Sequence, residues 1–175
     1  SVGRLTKQKN HISLLRALNI LKNKENIELI ILGSGQEEHL LKKYIKEKNL
    51  NKFVRLIEYK NNPFKYIKHS NVFILPSEFE GSPNILLEAA CLKKLIISSN
   101  CKTGPKRILS NGRGGYLYPA NNHIKLSQII AKLKLSDLSV KKKILASYMT
   151  AKKYSKNNQR IEFIKVIKKL VAPKS

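Results

Sequence analysis

The stretch Leu75-Pro76-Ser77-Glu78-Phe79-Glu80-Gly81-Ser82-Pro83-Asn84-Ile85-Leu86-Leu87-Glu88-Ala89 gathers more potential chemistry than any other. Two carboxylates, Glu80 and Glu88, stand with seven residues between them. Pro83 falls where a first helical residue is expected, with Ser82 as its N-cap. At a rise of about 1.5 Å per residue, Glu88 lies roughly 7 Å along that helix and leans back toward its start, while Glu80 stays in the loop. The free N–H groups of Gly81, Ser82, Asn84 and Ile85 and the positive helix end lie between them, a seat for phosphate or a sugar hydroxyl. The order is acceptor, anion seat, acceptor. A nucleotide sugar presents sugar hydroxyls, diphosphate and ribose hydroxyls in the same order. Taken alone, a solvated helical carboxylate at 88 and a capping residue at 80 explain the pair equally well.

A second cluster is Gly3-Arg4-Leu5-Thr6-Lys7-Gln8-Lys9-Asn10-His11. Arg4 and Lys9 can converge on one dianion, the guanidinium forking onto two oxygens and the ammonium acting as a point charge. A diphosphate fits, and so does a pair of solvated cations. The turn lacks Gly-x-Gly-x-x-Gly, which argues against a dinucleotide site. Gly33-Ser34-Gly35 follows the apolar run Ile30-Ile31-Leu32 and provides glycine where the backbone turns tightly or approaches a ligand. Thr103-Gly104-Pro105 reads either as another anion-facing helix start or as a plain cap. His11, His39, His69 and His123 are scattered without a partner pattern and are expected at the surface, with no metal role.

These turns need elements to hold them. Strands are expected over Ser1 to Leu5, Ile27 to Leu32, Phe53 to Ile57, Val72 to Leu75, Leu95 to Ser98 and Gly115 to Tyr118. Helical spacing covers His11 to Asn23, Glu37 to Lys48, Pro63 to His69, Pro83 to Leu92 and Pro105 to Ser110. Strand and helix alternate, which predicts an α/β fold: a Rossmann-like, doubly wound parallel sheet of about six strands with ligand loops at the strands' carboxyl ends. Past Tyr118-Pro119 three helical stretches are expected, His123 to Leu135, Asp137 to Tyr154 and an amphipathic Asn157 to Val171. Residues 1–175 thus read as one domain, an α/β core to about 119 and a helical tail over 120–175.

The 175 residues suit one full core and leave little room for a second. No apolar run approaches the roughly 20 residues that span a bilayer, and no secretory signal is visible. Cys91 and Cys101 form neither a disulfide framework nor a zinc pattern, which fits a reducing cytoplasm. With 35 Lys and Arg against 11 acids, the formal net charge is +24. The Lys excess is spread along nearly every segment beside abundant Asn and Ile, as compositional drift would give. That spread weighs against a nucleic-acid site, which concentrates Arg and aromatics on one element, and leaves an anionic membrane surface open as a partner.

Together the motifs resemble the C-terminal, donor-binding domain of the retaining family 4 glycosyltransferases, whose GT-B fold sets two Rossmann-like domains across a cleft. The matching residues are Gly3-Arg4-Leu5 with Lys9 and Asn10, Gly33-Ser34-Gly35, Glu80-Gly81-Ser82-Pro83-Asn84 with Leu87-Glu88-Ala89, Thr103-Gly104-Pro105, and Asn111-Gly112 with Gly115. They cover about Ser1 to Pro119, and Tyr154-Ser155 resembles the start of the family's last helix. This chain has Glu58 where the family usually has Gly, Arg107 where it often has Glu, and Asn10 where Gly is frequent.

The resemblance implies glycosyl transfer with retention from a nucleotide sugar, UDP-linked by expectation, to a glycan or lipid-linked acceptor in polysaccharide or glycoconjugate synthesis. It implies that Arg4 and Lys9 neutralise the leaving diphosphate, that Glu88 takes the ribose, and that Glu80 meets the sugar. Gly3, Gly33, Gly35, Gly81, Ser82, Pro83, Asn84 and Ile85 would line the donor, with Tyr59 of Glu58-Tyr59-Lys60 near the base. No cofactor or catalytic metal is implied, because cations and helix dipoles meet the departing charge. The acceptor-binding N-terminal domain is absent from these residues, so the chain alone is expected to be inactive in transfer. The expected location is cytoplasmic, with peripheral contact at the inner face of the membrane. A catalytically idle nucleotide-diphosphate domain and a basic module for nucleic acid or membrane are the alternative readings.

Overall fold

The computed structural model describes residues 1–21, 27–155, 158 and 164. Short apolar runs form the strands β1 (Leu29–Leu32), β2 (Val54–Ile57), β3 (Val72–Leu75), β4 (Leu95–Ser99) and β5 (Tyr116–Tyr118). Every pairing is parallel: β1 with β2, and β3, β4 and β5 in that order. Parallel neighbours need crossovers, and helices supply them. These are α1 (His11–Leu21), α2 (Glu38–Glu47), α3 (Phe64–His69), α4 (Asn84–Cys91), α5 (Pro105–Ile108), α6 (His123–Ala131) and α7 (Leu138–Lys153).

Apolar side chains leave both faces of the strands, so two cores form. Leu14, Leu15 and Leu18 of α1, Leu41 and Ile45 of α2 and Leu126 of α6 pack with Ile31 and Ile97. Leu86, Ala89 and Ala90 of α4, Ile108 of α5 and Ala151 of α7 pack with Phe73, Leu75 and Ile96. Consecutive residues Ile96 and Ile97 of β4 thus point into opposite cores, as the period of two requires. β4 is buried along its whole length because it pairs on both edges and is covered on both faces. The arrangement is the expected doubly wound α/β sheet.

Four expectations need correction. The sheet has five strands where about six were expected. Of Ser1 to Leu5 only Val2 pairs, in a single parallel bridge to Leu32, because the chain already bends at Gly3 to Leu5 and Leu5 N–H bonds Ser34 O at 3.0 Å. Pro83 is the residue before α4 and not its first, with ψ at 89°, and no side chain caps that end, so Ser82 is not the N-cap. His11 is buried at 1% exposure, although it was expected at the surface; it opens α1 on the side that packs beneath Gly3. Several helices end earlier than their spacing suggested, α6 at Ala131 and α5 at Ile108. The expected helix Asn157 to Val171 lies outside the described residues except for positions 158 and 164.

Candidate functional site

The first two turns are built against each other. Gly3 N–H bonds Leu32 O at 3.0 Å, and Glu37 N–H bonds Leu5 O at 2.9 Å. A Cβ at Gly33 would lie 1.9 Å from Gly3 O, and one at Gly35 would lie 2.5 Å from Leu5 O. No side chain fits in either place, so Gly-Ser-Gly is required to seat one loop on the other. Ser34 Oγ accepts from Tyr59 N–H at 3.1 Å, which draws the turn after β2 into the same rim. Tyr59 itself is 66% exposed.

The chain leaves the first turn through Asn10, whose φ of 50° and ψ of 44° lie in the left-handed region. Asn tolerates that region better than other non-glycine residues, which accounts for Asn or Gly at this position. Its side chain also donates to Asn121 Oδ1 at 2.7 Å. The stem of Lys9 folds back over Gly3, and its ammonium meets Glu80 Oε1 at 2.6 Å. Ser77 Oγ donates to the same oxygen at 2.6 Å. Both side chains are mostly covered, at 18% and 7% exposure, so neither charge is left to water alone. The other carboxylate oxygen, Oε2, has no partner among the described residues and is not among the sealed polar atoms.

Behind this pair lies a chain of buried serines: Ser99 Oγ donates to Ser77 O at 2.5 Å, and Ser98 Oγ to Ser99 O at 3.0 Å. Thr103 Oγ1 donates to Glu80 O, and Gln8 joins from the other side through Glu78 N–H to Gln8 O at 2.8 Å. Gly104, with φ at 66°, sits against Pro83; a Cβ there would come within 2.6 Å of Pro83 Cδ. The Glu80 loop is therefore clamped between the first and fifth turns. An open depression of about 700 Å³ lies beside Gly81, lined by Lys102, Thr103, Lys106 and Arg107.

On α4, Glu88 follows Asn84 by one turn on the same face, while Leu86, Ala89 and Ala90 turn inward. Glu88 has no hydrogen bond or ion pair from its carboxylate among the described residues, and partial burial raises its pKa above the usual carboxylate range. Arg4 is exposed and has no hydrogen bond or ion pair among the described residues. His11 is held neutral: burial, then the nearby amino terminus and Lys9, lower its pKa to about 3.

Lys9, Glu80 and the turn before α4 are thus brought together, and Gly3, Gly33 and Gly35 shape the loop floor. Lys9 meets Glu80 through one of its three donors, and Arg4 stands exposed on the same turn. Sequence reasoning missed the roles of Ser77, Ser99 and Gln8, and the bond of Thr103 to the Glu80 carbonyl. Ser77 stood in a Ser-x-x-Glu pattern with Glu80, a spacing that marks local side-chain bonding; the others join only through tertiary structure. Among the described residues no three His, Cys, Asp or Glu gather as a metal site, and no helix is long and apolar enough to cross a membrane.

The profile of the family described as "Glycosyl transferases group 1" matches residues 1–159. The chain belongs to that family. Its relatives include an uncharacterised glycosyltransferase of Methanocaldococcus jannaschii, 44% identical over 110 residues, or 62% of this chain and 27% of that protein. Another is an N-acetylgalactosaminyltransferase of Campylobacter jejuni acting on a diphospho-undecaprenol-linked sugar, 36% identical over 128 residues, or 73% of this chain and 34% of that protein. The chain therefore spans about a third or less of these group 1 glycosyltransferases. Among solved structures, a glycosyltransferase from Rickettsia africae superposes with a TM-score of 0.85 at 22% identity, over 98% of this chain and 47% of that one. TarM of Staphylococcus aureus, solved with UDP, gives 0.84 at 22% identity over 94% of this chain and 34% of that one. These likenesses establish the Rossmann-like fold shared with GT-B glycosyltransferases.

Proposed function

We propose that this chain is the nucleotide-sugar-binding part of a retaining glycosyltransferase, with a UDP-linked hexose as donor and a glycan or lipid-linked acceptor. The observation that carries the reading is the disposition of the two carboxylates about the start of α4. Glu80 is anchored through Oε1 by Lys9 and Ser77, while Glu88, one turn into the helix, has no hydrogen bond or ion pair among the described residues.

In this reading Oε2 of Glu80 accepts from a sugar hydroxyl, the backbone of Gly81 to Ile85 holds sugar and phosphate, and Glu88 accepts from the ribose diol. Lys9 and Arg4 face the diphosphate as its negative charge grows on bond breaking, which is where fixed positive charge lowers the barrier. Lys9 is already oriented by Glu80, so little reorganisation remains when the leaving group departs. Transfer itself needs an acceptor-binding domain, with 1–119 as the donor core and 120–175 as its helical tail. The names of relatives, which include a capsular polysaccharide biosynthesis glycosyltransferase and a poly(glycerol-phosphate) alpha-glucosyltransferase, support a role in surface glycan synthesis, for which the cytoplasmic face is the proposed location.

Calorimetric titration with UDP, GDP and ADP tests this directly. Saturable heat with UDP that is unchanged by a chelator is the expected result. No heat at millimolar ligand overturns the reading, and a strict need for magnesium or manganese overturns its electrostatics.

A further inference from the structure

α7 has two apolar sides. Val140, Ser147 and Ala151 are buried, and with them the helix packs on α4 and β4. On the opposite side Leu138 is 65% exposed, Leu145 60% and Met149 51%. At about 3.6 residues per turn these three fall within about 40° of one another, a single line down the helix. A helix at a protein surface ordinarily turns polar residues outward. Large apolar side chains scattered singly call for no explanation, but a line of them calls for a cover.

The charges beside the line indicate what that cover is. α7 carries no Asp or Glu. Lys141, Lys142, Lys152 and Lys153 are exposed and flank the line within about 60° on either side. Of the α7 lysines only Lys143 turns inward, where its Nζ donates to Gly112 O at 2.6 Å. Tyr148 stands beside the strip, with the ammonium groups of Lys93 and Lys152 at 5.2 and 4.9 Å from its ring. Three apolar side chains fall well short of the roughly 800 Å² per partner that a stable protein interface buries. A nucleic acid would pair with the lysines and leave Leu138, Leu145 and Met149 in water. An anionic bilayer meets both, its headgroups the ammoniums and its acyl chains the apolar line.

We propose that the outer face of α7 docks on an anionic membrane surface. Leu138, Leu145 and Met149 enter the boundary between headgroups and acyl chains, and Lys141, Lys142, Lys152 and Lys153 pair with lipid phosphates. Long lysine stems let the ammoniums reach the headgroups while the apolar line sinks between them, and a tyrosine beside the strip suits the same boundary. Because α7 packs directly on α4, docking keeps α4 one helix layer from the lipid. The inference is independent of the donor reading, since docking needs no nucleotide.

The chain has no Trp, so Met149→Trp places a single reporter on this face. Leu40→Trp places one on α2, which packs in the other core. With vesicles of phosphatidylglycerol and phosphatidylcholine in equal parts, at physiological salt, emission at 149 is expected to shift to the blue and to be quenched by brominated acyl chains. Emission at 40 is expected to stay as in buffer. Equal response at both positions, or none at 149, overturns the proposal. A blue shift at 149 that grows with protein concentration without lipid marks a contact between copies and also overturns it. Bulk charge is controlled by matched pairs. Lys141→Gln with Lys142→Gln is expected to lower vesicle affinity at least about 10-fold. Lys46→Gln with Lys52→Gln, both exposed on the α2 side, should stay within about twofold, because distant charges are screened at this salt. Equal losses from the two pairs, with Tm unchanged in both, show attraction of the net charge alone and overturn the proposal.

Discussion

Lys9 and Glu80 are 71 positions apart in the chain, yet they meet at 2.6 Å beneath a largely covered surface. The contact ties the first strand-to-helix turn to the loop that follows β3. It follows that a change on one turn must be felt on the other. Removing one partner of a covered pair leaves the other charge unpaired, at a cost of about 3–5 kcal/mol. Glu80→Ala should therefore lower Tm by about 6–20 °C. Adding Lys9→Met should recover part of that loss, because no orphaned ammonium remains. Thermal melts of the two singles and the double variant measure the coupling; strictly additive effects would show that the pair contributes nothing.

Gly33 and Gly81 should respond oppositely to the same added methyl group. At Gly33 the methyl would meet the Gly3 carbonyl, whereas at Gly81 it meets nothing within 4 Å. Gly33→Ala is expected to destabilise by about 3 kcal/mol, since backbone must move. Gly81→Ala should leave Tm within about 2 °C and weaken nucleotide-sugar binding, because the methyl intrudes where the donor is proposed to lie. Melting and titration of both variants check the contrast.

His11 links stability to pH. Its folded pKa of about 3 lies below the ordinary 6.5, so below pH 6.5 the unfolded chain binds a proton that the folded chain refuses. Its contribution is fully present above pH 6.5 and is lost as pH falls toward 3, with a slope of up to about 1.4 kcal/mol per pH unit. Denaturant unfolding of the native chain and of His11→Gln between pH 7 and 5 should show the native curve falling more steeply. Parallel curves would mean that the imidazole takes its proton without unfolding.

Much of this could be read from the residues because it is local. Apolar runs flanked by Gly, Pro and Asn located every strand to within two residues at either end, except the first, whose lone bridge at Val2 depends on β1 lying beside it. Glu80, Glu88 and the Gly-Ser-Gly turn were visible because their chemistry depends on spacing along one segment. The Lys9–Glu80 pair, the Ser99–Ser77 relay and the Thr103 hydroxyl on Glu80 O were not, since each joins turns that only the crossovers bring together. His11 misled for a related reason. Beside Lys9 and Asn10 it looks solvated, but the left-handed Asn10 turns the chain so that the ring falls beneath Gly3.

The assignment of sugar and ribose ends rests on the two glutamates, and one comparison tests it most directly: UDP titration of the native chain, Glu88→Ala and Glu80→Gln. Glu88 has no partner to lose among the described residues, so Glu88→Ala should keep its Tm and weaken UDP by about 10–150-fold, the worth of hydrogen bonds to a charged acceptor, about 1.5–3 kcal/mol. Glu80→Gln retains an acceptor for Ser77 and lies on the sugar side of the diphosphate, so UDP affinity should stay within about threefold of native. Equal weakening by both substitutions, or loss of Tm without loss of affinity at Glu88, would contradict the account.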